Sequence, residues 1–444
     1  MTDARRHCLV CGQGRRAAAA AALAVITAVA ARAEALQPLQ AFLQSAAKRN
    51  FDNREAASLA TQRAHEAAQA WQKLLPAVTA QGDYLRNQYE VAPAFPTGGI
   101  APATRTIMIT PLSQWDVILG ASVPLVDVAT WRSAAGSAAS RDAQGERVAA
   151  MNLEVQKAVA RTWFQLVGVE AVMTAARRIL AAAEENARFI TTRYQAGLVS
   201  DLDVKRINAE VERDRQAVEE ADFAIVTTRR SLETLTGLSP SPGSESHLDD
   251  LREEAPLDDW LAGVDALPSV KAARLDAEAA DHAAASRQAA LLPSLAAQGN
   301  ERFTNAVGFG RSPYYSVGVV AAWKLDLGTY QSSRADRAAS DGAVVRYDRA
   351  RATAADAIFN AWHQTRTQIA KSHAARTQRE ATREAVELAR LRYNSGKATL
   401  LDVTQSERDD FSAEVSLLQA DADLEAARAV LRLSAGRFLT EERR

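Results

Sequence analysis

Apolar residues recur at alternating steps of four and three through Val155, Val159, Thr162, Leu166, Val169, Met173, Ala176, Leu180, Ala183, Ala187, Ile190 and Tyr194. A mean step of about 3.5 residues is the period of coiled-coil packing rather than of an ordinary amphipathic helix. The stretch predicts one helix over residues 131–192, a rod of roughly 90 Å at ~1.5 Å per residue. After a short break, Ile207, Val211, Asp214, Val218, Ala221, Ile225, Thr228, Leu232 and Leu235 continue the rhythm in a partner helix. Ahead of both, a helix near residues 53–75 stops at Pro76, because proline cannot continue the hydrogen-bond ladder.

Two further segments change period. Tyr315, Val317, Val319, Ala321, Trp323, Leu325 and Leu327 alternate with small or polar residues, which predicts a strand. Its apolar face carries aromatics near the ends, a pattern that fits a transmembrane β-strand and also a half-buried strand of a soluble sheet. Residues 115–125 predict another strand, with Val117, Leu119, Ala121 and Val123 on one face. Residues 93–111, rich in Pro, Gly and Thr, read as a long loop.

These elements occur twice. A shift of 199 residues carries Asp127 onto Asp326, Trp163 onto Trp362, Arg193-Tyr194 onto Arg392-Tyr393, Gly197 onto Gly396, and Leu202-Asp203-Val204 onto Leu401-Asp402-Val403. Upstream, Leu74-Leu75-Pro76 matches Leu291-Leu292-Pro293 at a shift of 217, so the first copy holds 18 extra residues, within 93–111. Self-similarity at so many spaced positions is an internal repeat. Each copy reads helix, strand, loop, strand, very long helix, turn, long helix. Under the 199 shift the apolar alternation of residues 117–123 is out of phase with the second copy, so a bulge or a different facing intervenes. The second copy's seam is also more polar, as at Thr365 and Gln368. It is either wetter or faces a different neighbour.

Composition agrees with long helices. The 444 residues include only 13 prolines and 21 glycines, and aromatics make up 6 %. A net charge of −1 gives no electrostatic reason to expect nucleic acid as a partner. Arg5, Arg6, Arg15 and Arg16 precede an apolar run at 17–31, followed by Ala31-Arg32-Ala33. This order reads as a secretory signal, with cleavage after residue 33. Both cysteines, Cys8 and Cys11, would leave with it. The expected organisation is residues 1–33 signal, 34–238 first repeat, 239–266 acidic Pro/Ser-rich connector, 267–437 second repeat and 438–444 tail. The connector's acidic run reads as a solvated face, with one short helix near residues 257–264.

The repeated turns have a local logic. Gly197 and Gly396 suit the left-handed residue that ends a helix. Ser200 and Thr399 then stand as N-caps, with Asp203 and Asp402 three residues on in the spacing of a capping box.

A twofold repeat with Leu-Leu-Pro before a β-hairpin, and Arg-Tyr-x-x-Gly-x-x-x-x-Leu-Asp-Val between long helices, resembles the TolC-like outer membrane factor family. The resemblance covers nearly the whole chain after the signal. It implies a mainly α fold with a small β part. Long coiled-coil helices would form an α-barrel, and four strands per protomer would join a trimeric transmembrane β-barrel of roughly twelve strands. It further implies a homotrimer in outer membrane lipid, serving as a passive duct in efflux or type I secretion with a periplasmic adaptor (membrane fusion protein) and an inner-membrane pump. The turns would sit at the periplasmic mouth. There Tyr393 and Asp203 match positions that bond neighbouring helix pairs in the closed state, Tyr194 is the first-repeat counterpart of Tyr393, and Asp402 matches a ring of carboxylates around the aperture. Ala398 and Gln405 depart from the pattern, where some members carry a basic residue and a second carboxylate.

Enzymatic chemistry finds little support. The six histidines are scattered, and no Gly-x-Ser-x-Gly, phosphate loop or dinucleotide fingerprint occurs. No cofactor is expected. The rival reading, a periplasmic coiled-coil adaptor or scaffold without a pore, explains the helices and signal but not duplicated strand pairs after Leu-Leu-Pro.

Overall fold

The computed structural model describes residues 36–98, 103–243 and 249–437; the expected signal and tail lie outside them. In chain order the elements are α1 (Leu39–Arg49), α2 (Phe51–Gln72), β1 (Ala77–Arg86), β2 (Ala94–Thr97), β3 (Ala103–Thr106), β4 (Ser113–Val126), α3 (Val128–Gln195) and α4 (Asp201–Thr236). Then follow α5 (Leu257–Leu261), a 3-10 turn (Val264–Ala266), α6 (Pro268–Ala289), β5 (Ser294–Thr304), β6 (Tyr314–Ala322), α7 (Leu327–Asn394) and α8 (Leu400–Ser434). The chain divides into two compact units. A helical unit holds the described residues to Ala46, Ala158–Arg252 and Gln368–Ala426. A sheet-bearing unit holds Ala47–Lys157, Glu253–Thr367 and the described residues from 427.

In the helical unit the heptad seam is buried as its period requires. Leu166, Met173, Ile190, Ile207, Ile225 and Leu232 are all buried, and Met173, Ala221 and Ile225 form one packed cluster. Gly168 permits close approach of α8, since a Cβ there would lie 2.8 Å from that of Ala422. In the second repeat, Gln368 and Ser372 are buried too. Ser372 donates to Asp421, and Arg376 pairs with Asp421 at 3.1 Å. That part of the seam is therefore interior and polar rather than wet.

In the sheet-bearing unit the strands run β1-β4-β5-β6, all antiparallel. Residues directly opposite share a face, so the register assigns each side. Val78, Ala80, Tyr84, Trp115, Val117, Leu119, Phe303, Tyr315, Val317 and Val319 fall on one face, with Glu301 as a polar exception. Thr79, Gln81, Asp83, Asp116, Ser122, Gln298, Asn300, Arg302 and Ser316 fall on the other, with Leu85, Ile118, Tyr314 and Val320 as apolar exceptions. The first copy's phase difference thus has an answer: both apolar sets share a face. One extra residue, Leu125, sits at the register break between Pro124 and Val126. This bulge absorbs the offset before α3 begins.

Three expectations are corrected. Residues 93–111 are not simply a loop, because β2 and β3 pair there as a two-stranded ribbon. The second hairpin's strand stops at Ala322 rather than at Leu327. Asp326 instead caps α7, accepting from the Thr329 N–H and hydroxyl at 2.7 Å each; Asp127 does the same for α3 with Thr130. The connector is only partly a solvated face: Asp250, Glu253, Asp258 and Asp259 are exposed, but Asp249 is buried. Glu254 forms a buried ion pair with Arg428 at 2.6 Å, and Trp260 lies in a core with Ile358 and Leu431. Its short helix is α5, ending at Leu261, with the 3-10 turn separate. The repeated tryptophans explain part of this docking. Trp163 Nε1 donates to the Gln37 carbonyl and Trp362 Nε1 to the Ala255 carbonyl, so each fastens the segment that leads into its repeat.

Candidate functional site

The two predicted turns lie in the helical unit and are built alike. Gly197 and Gly396 adopt φ +70° and +72°, the left-handed region that only glycine enters without strain. Gly197 N–H reaches the Tyr194 carbonyl at 2.9 Å and Leu198 N–H that of Arg193 at 2.9 Å. The second turn repeats this with Gly396 to Tyr393 at 3.0 Å and Lys397 to Arg392 at 2.8 Å. Such paired bonds satisfy carbonyls that a helix end leaves open.

The next helix starts three residues later with a capping box. Asp203 N–H donates to Ser200 Oγ at 3.3 Å, and Asp203 Oδ2 accepts from the Ser200 N–H at 3.2 Å and hydroxyl at 2.7 Å. Asp402 Oδ2 likewise accepts from the Thr399 N–H and hydroxyl, both at 2.8 Å, while Asp402 N–H donates to Thr399 Oγ1. The backbone bond from Thr399, then its hydroxyl, holds the Asp402 carboxyl below the usual carboxylate range. Asp402 is thus an exposed anion on a helix N-terminus at neutral pH.

Tyr393 is half-buried and lines a cavity of about 180 Å³ with Phe189, Ile190, Arg390 and Val403. Among the described residues no hydrogen bond joins its hydroxyl to Asp203, whose carboxylate is engaged by Ser200. Tyr194 stands exposed at the matching place. Gln405, in place of a second carboxylate, donates to Asp409 at 2.9 Å. No group of His, Cys, Asp and Glu among the described residues could hold a metal ion. No helix there is long and apolar enough to cross a membrane.

Sequence reasoning missed a second charged region further along the same helices, where Arg408 of α8 pairs with Glu210 of α4 at 2.8 Å. One signal was present: Asp214, an acidic residue at a heptad seam position.

Comparison with known proteins gives a consistent result. The profile of the outer membrane efflux protein family matches residues 42–238 and 266–437. No curated protein is detectably similar in sequence. Among solved structures, the chain resembles the channel-forming protein CusC at TM-score 0.77 and 16 % identity, covering 90 % of this chain and 92 % of that one. It resembles the CmeC outer membrane channel of Campylobacter jejuni at 0.76 and 18 %, covering 90 % and 86 %. The open state of the Neisseria gonorrhoeae MtrE outer membrane channel follows at 0.71 and 21 %, covering 91 % and 90 %.

Proposed function

Since the chain belongs to the outer membrane efflux protein family, and is an efflux channel subunit of the outer membrane rather than a pore-less adaptor, we propose that three copies close one barrel and one helical duct. The observation that carries this reading is the four-stranded sheet. One face is mainly apolar and the other mainly polar, and the edge strands β1 and β6 have no further partner among the described residues. An open edge in hydrocarbon leaves backbone N–H and C=O groups unpaired at several kcal/mol each, so a spanning sheet must close. The apolar face, with Tyr84, Trp115, Phe303 and Tyr315 gathered toward the β2–β3 end, suits lipid. The polar face, with Gln81, Asp116, Asn300 and Arg302, suits a watery lumen. Mass measurement of the detergent-solubilised protein should give three chains; a stable monomer with full strand content would overturn the reading.

The duct is passive in this proposal, with a periplasmic adaptor and an inner-membrane pump supplying docking and energy. The β2–β3 ribbon is placed outside the cell, where barrel loops are longer. A label attached at residues 93–111 should be reached in intact cells, and protection there would reverse the orientation. As a separate part of the proposal, the turns at Gly197 and Gly396 face the periplasm, with Asp402 lining the aperture and Tyr393, Tyr194 and Asp203 around it.

A further inference from the structure

Asp214 is the anomaly of the helical unit. It sits on the apolar seam of α4 between Val211 and Ala221, is only 6 % exposed, and receives no hydrogen bond among the described residues. It borders a cavity of about 520 Å³ to which all four long helices contribute. Desolvation without a protein partner disfavours the charged carboxylate, so the group favours a proton or an approaching cation.

The surrounding charges show which cation could come. From α3, Arg178 is held by Glu414 of α8. From α7, Arg379 is held by Asp410 and Glu414, Arg390 by Glu407 at 2.6 Å, and Arg383 by Glu387 of its own helix. That leaves α4 itself and Arg408 of α8. Glu210, one turn before Asp214 on the same face, holds two arginines: Arg213 at 2.5 Å and Arg408 at 2.8 Å. Arg408 is also incompletely used, because its buried Nε has no acceptor. One carboxylate has two cations and its neighbour, a turn away, has none.

We propose that Asp214 and Arg408 form a proton-operated catch between the two repeats. With Asp214 protonated, Arg408 rests on Glu210. When Asp214 ionises, its proton leaves to solvent and Arg408 turns to it, while Glu210 keeps Arg213. Neither arrangement leaves an anion bare, and the swap needs only the reach of one arginine side chain across one helical turn, about 5.4 Å. The tie between α4 and α8 thereby moves one turn away from the Ser200 and Thr399 turns at which those helices begin. Burial first, then the nearby Glu210 carboxylate, pushes the Asp214 carboxyl up to about 6, so the catch would work across mildly acidic conditions.

The test reads the carboxyl directly and does not depend on pore formation. Infrared difference spectra of the solubilised full chain between pH 7.5 and 5 should contain a protonated-carboxyl band with a midpoint near 6, absent from Asp214→Asn. With the side chains fixed as they stand, Arg213 lowers the Asp214 carboxyl more than Arg408 does. The catch reverses that order. Arg408→Gln should raise proton affinity about tenfold, one pH unit, and Arg213→Gln clearly less. Should Arg408→Gln fail to assemble, Arg408→Lys should still shift the midpoint more than Arg213→Lys. An equal or larger shift from the Arg213 substitution, or no band lost in Asp214→Asn, overturns the proposal.

Discussion

Within the helical unit, equivalent seams of the two repeats differ in how much polar chemistry they bury. The first buries Leu166, Met173 and Ile190 on α3, and Ile207, Ile225 and Leu232 on α4, with Asp214 and Glu170 as buried acids, Glu170 paired with Arg229 at 2.6 Å. The second buries Val386 on α7 and Val403 and Leu424 on α8, but sets Gln368, Ser372 and Asp421 among them, and Arg376 ties Asp421 to the Asp249 carbonyl of the connector. An apolar seam repeating every heptad finds apolar partners again after a slip. A polar seam does not, because a slip strands the buried Asp421 away from Ser372 and Arg376. Both repeats therefore supply adhesion, and the Ser372, Arg376 and Asp421 set adds register in the second.

The sharpest way to break this contrast is to remove one member of the polar set. Asp421→Ala leaves Ser372 without its acceptor and Arg376 with only the Asp249 carbonyl, and should cost about 3 kcal/mol in urea unfolding of the solubilised protein. The triple substitution Ser372→Ala, Arg376→Met and Asp421→Leu should instead come within about 1 kcal/mol of the parent. A triple variant as damaged as Asp421→Ala would show that the polar groups supply adhesion after all.

Leu232→Ala tests the other side. Leu232 is fully buried, so truncation should cost about 2–4 kcal/mol through lost transfer energy and the cavity left behind. Ser372→Ala, at an equally buried position, removes one hydroxyl donor and should cost about 1 kcal/mol. Equal losses at the two sites would erase the distinction drawn between the seams.

Acidity separates the repeats more gently. Asp214 in the first and Asp423 in the second are both raised by burial, Asp423 against the opposing pull of Lys371. A carboxyl whose folded value exceeds its unfolded one binds its proton more tightly when folded. Stability is thus gained as pH falls through about 6 toward the unfolded value of 3.8. Asp402 has the opposite sign, since its lowered carboxyl forfeits stability only under stronger acid. Between pH 7.5 and 5 the thermal midpoint should therefore rise, and Asp214→Asn should flatten most of that rise. A midpoint that falls on acidification to pH 5 would reverse the sign assigned to Asp214.

How much of this was readable beforehand follows from which forces are local. Heptad spacing placed the seam residues from Val155 to Ile190 and from Ile207 to Leu232, all buried or half-buried, because burial on a long helix is periodic and short-ranged in sequence; only Tyr194, at the helix end, stands exposed. The glycine turns and the Ser200–Asp203 and Thr399–Asp402 caps were legible for the same reason. What lay hidden was pairing between distant segments. Nothing local tells that Glu254 meets Arg428, that Asp421 meets Ser372 and Arg376, or that Gln37 and Ala255 receive the repeated tryptophans. The β-bulge at Leu125 was visible only as a phase error, since the strand register that defines it spans nearly two hundred residues. Helix α1 was missed because its eleven residues are too few to display a seam period.

The smallest expected effect on stability separates the two turns, whose geometry is almost the same. Both carboxylates accept the same pair of bonds from their N-cap residue, so Ser200→Ala and Thr399→Ala should each cost about 1 kcal/mol, indistinguishably. Asp203→Asn and Asp402→Asn keep an acceptor at the helix start, so neither should lower trimer yield. Conductance should tell them apart. If three copies of Asp402 converge on the aperture, each an exposed anion in its own protomer, their combined charge favours cations in the way acidic rings do in cation channels. Asp402→Asn should then reduce cation preference and block by multivalent cations, while Asp203→Asn leaves both unchanged. Single-channel recordings in planar bilayers decide the matter. Equal behaviour of the two variants would reduce Asp402 to what its bonds to Thr399 already make it, a helix cap.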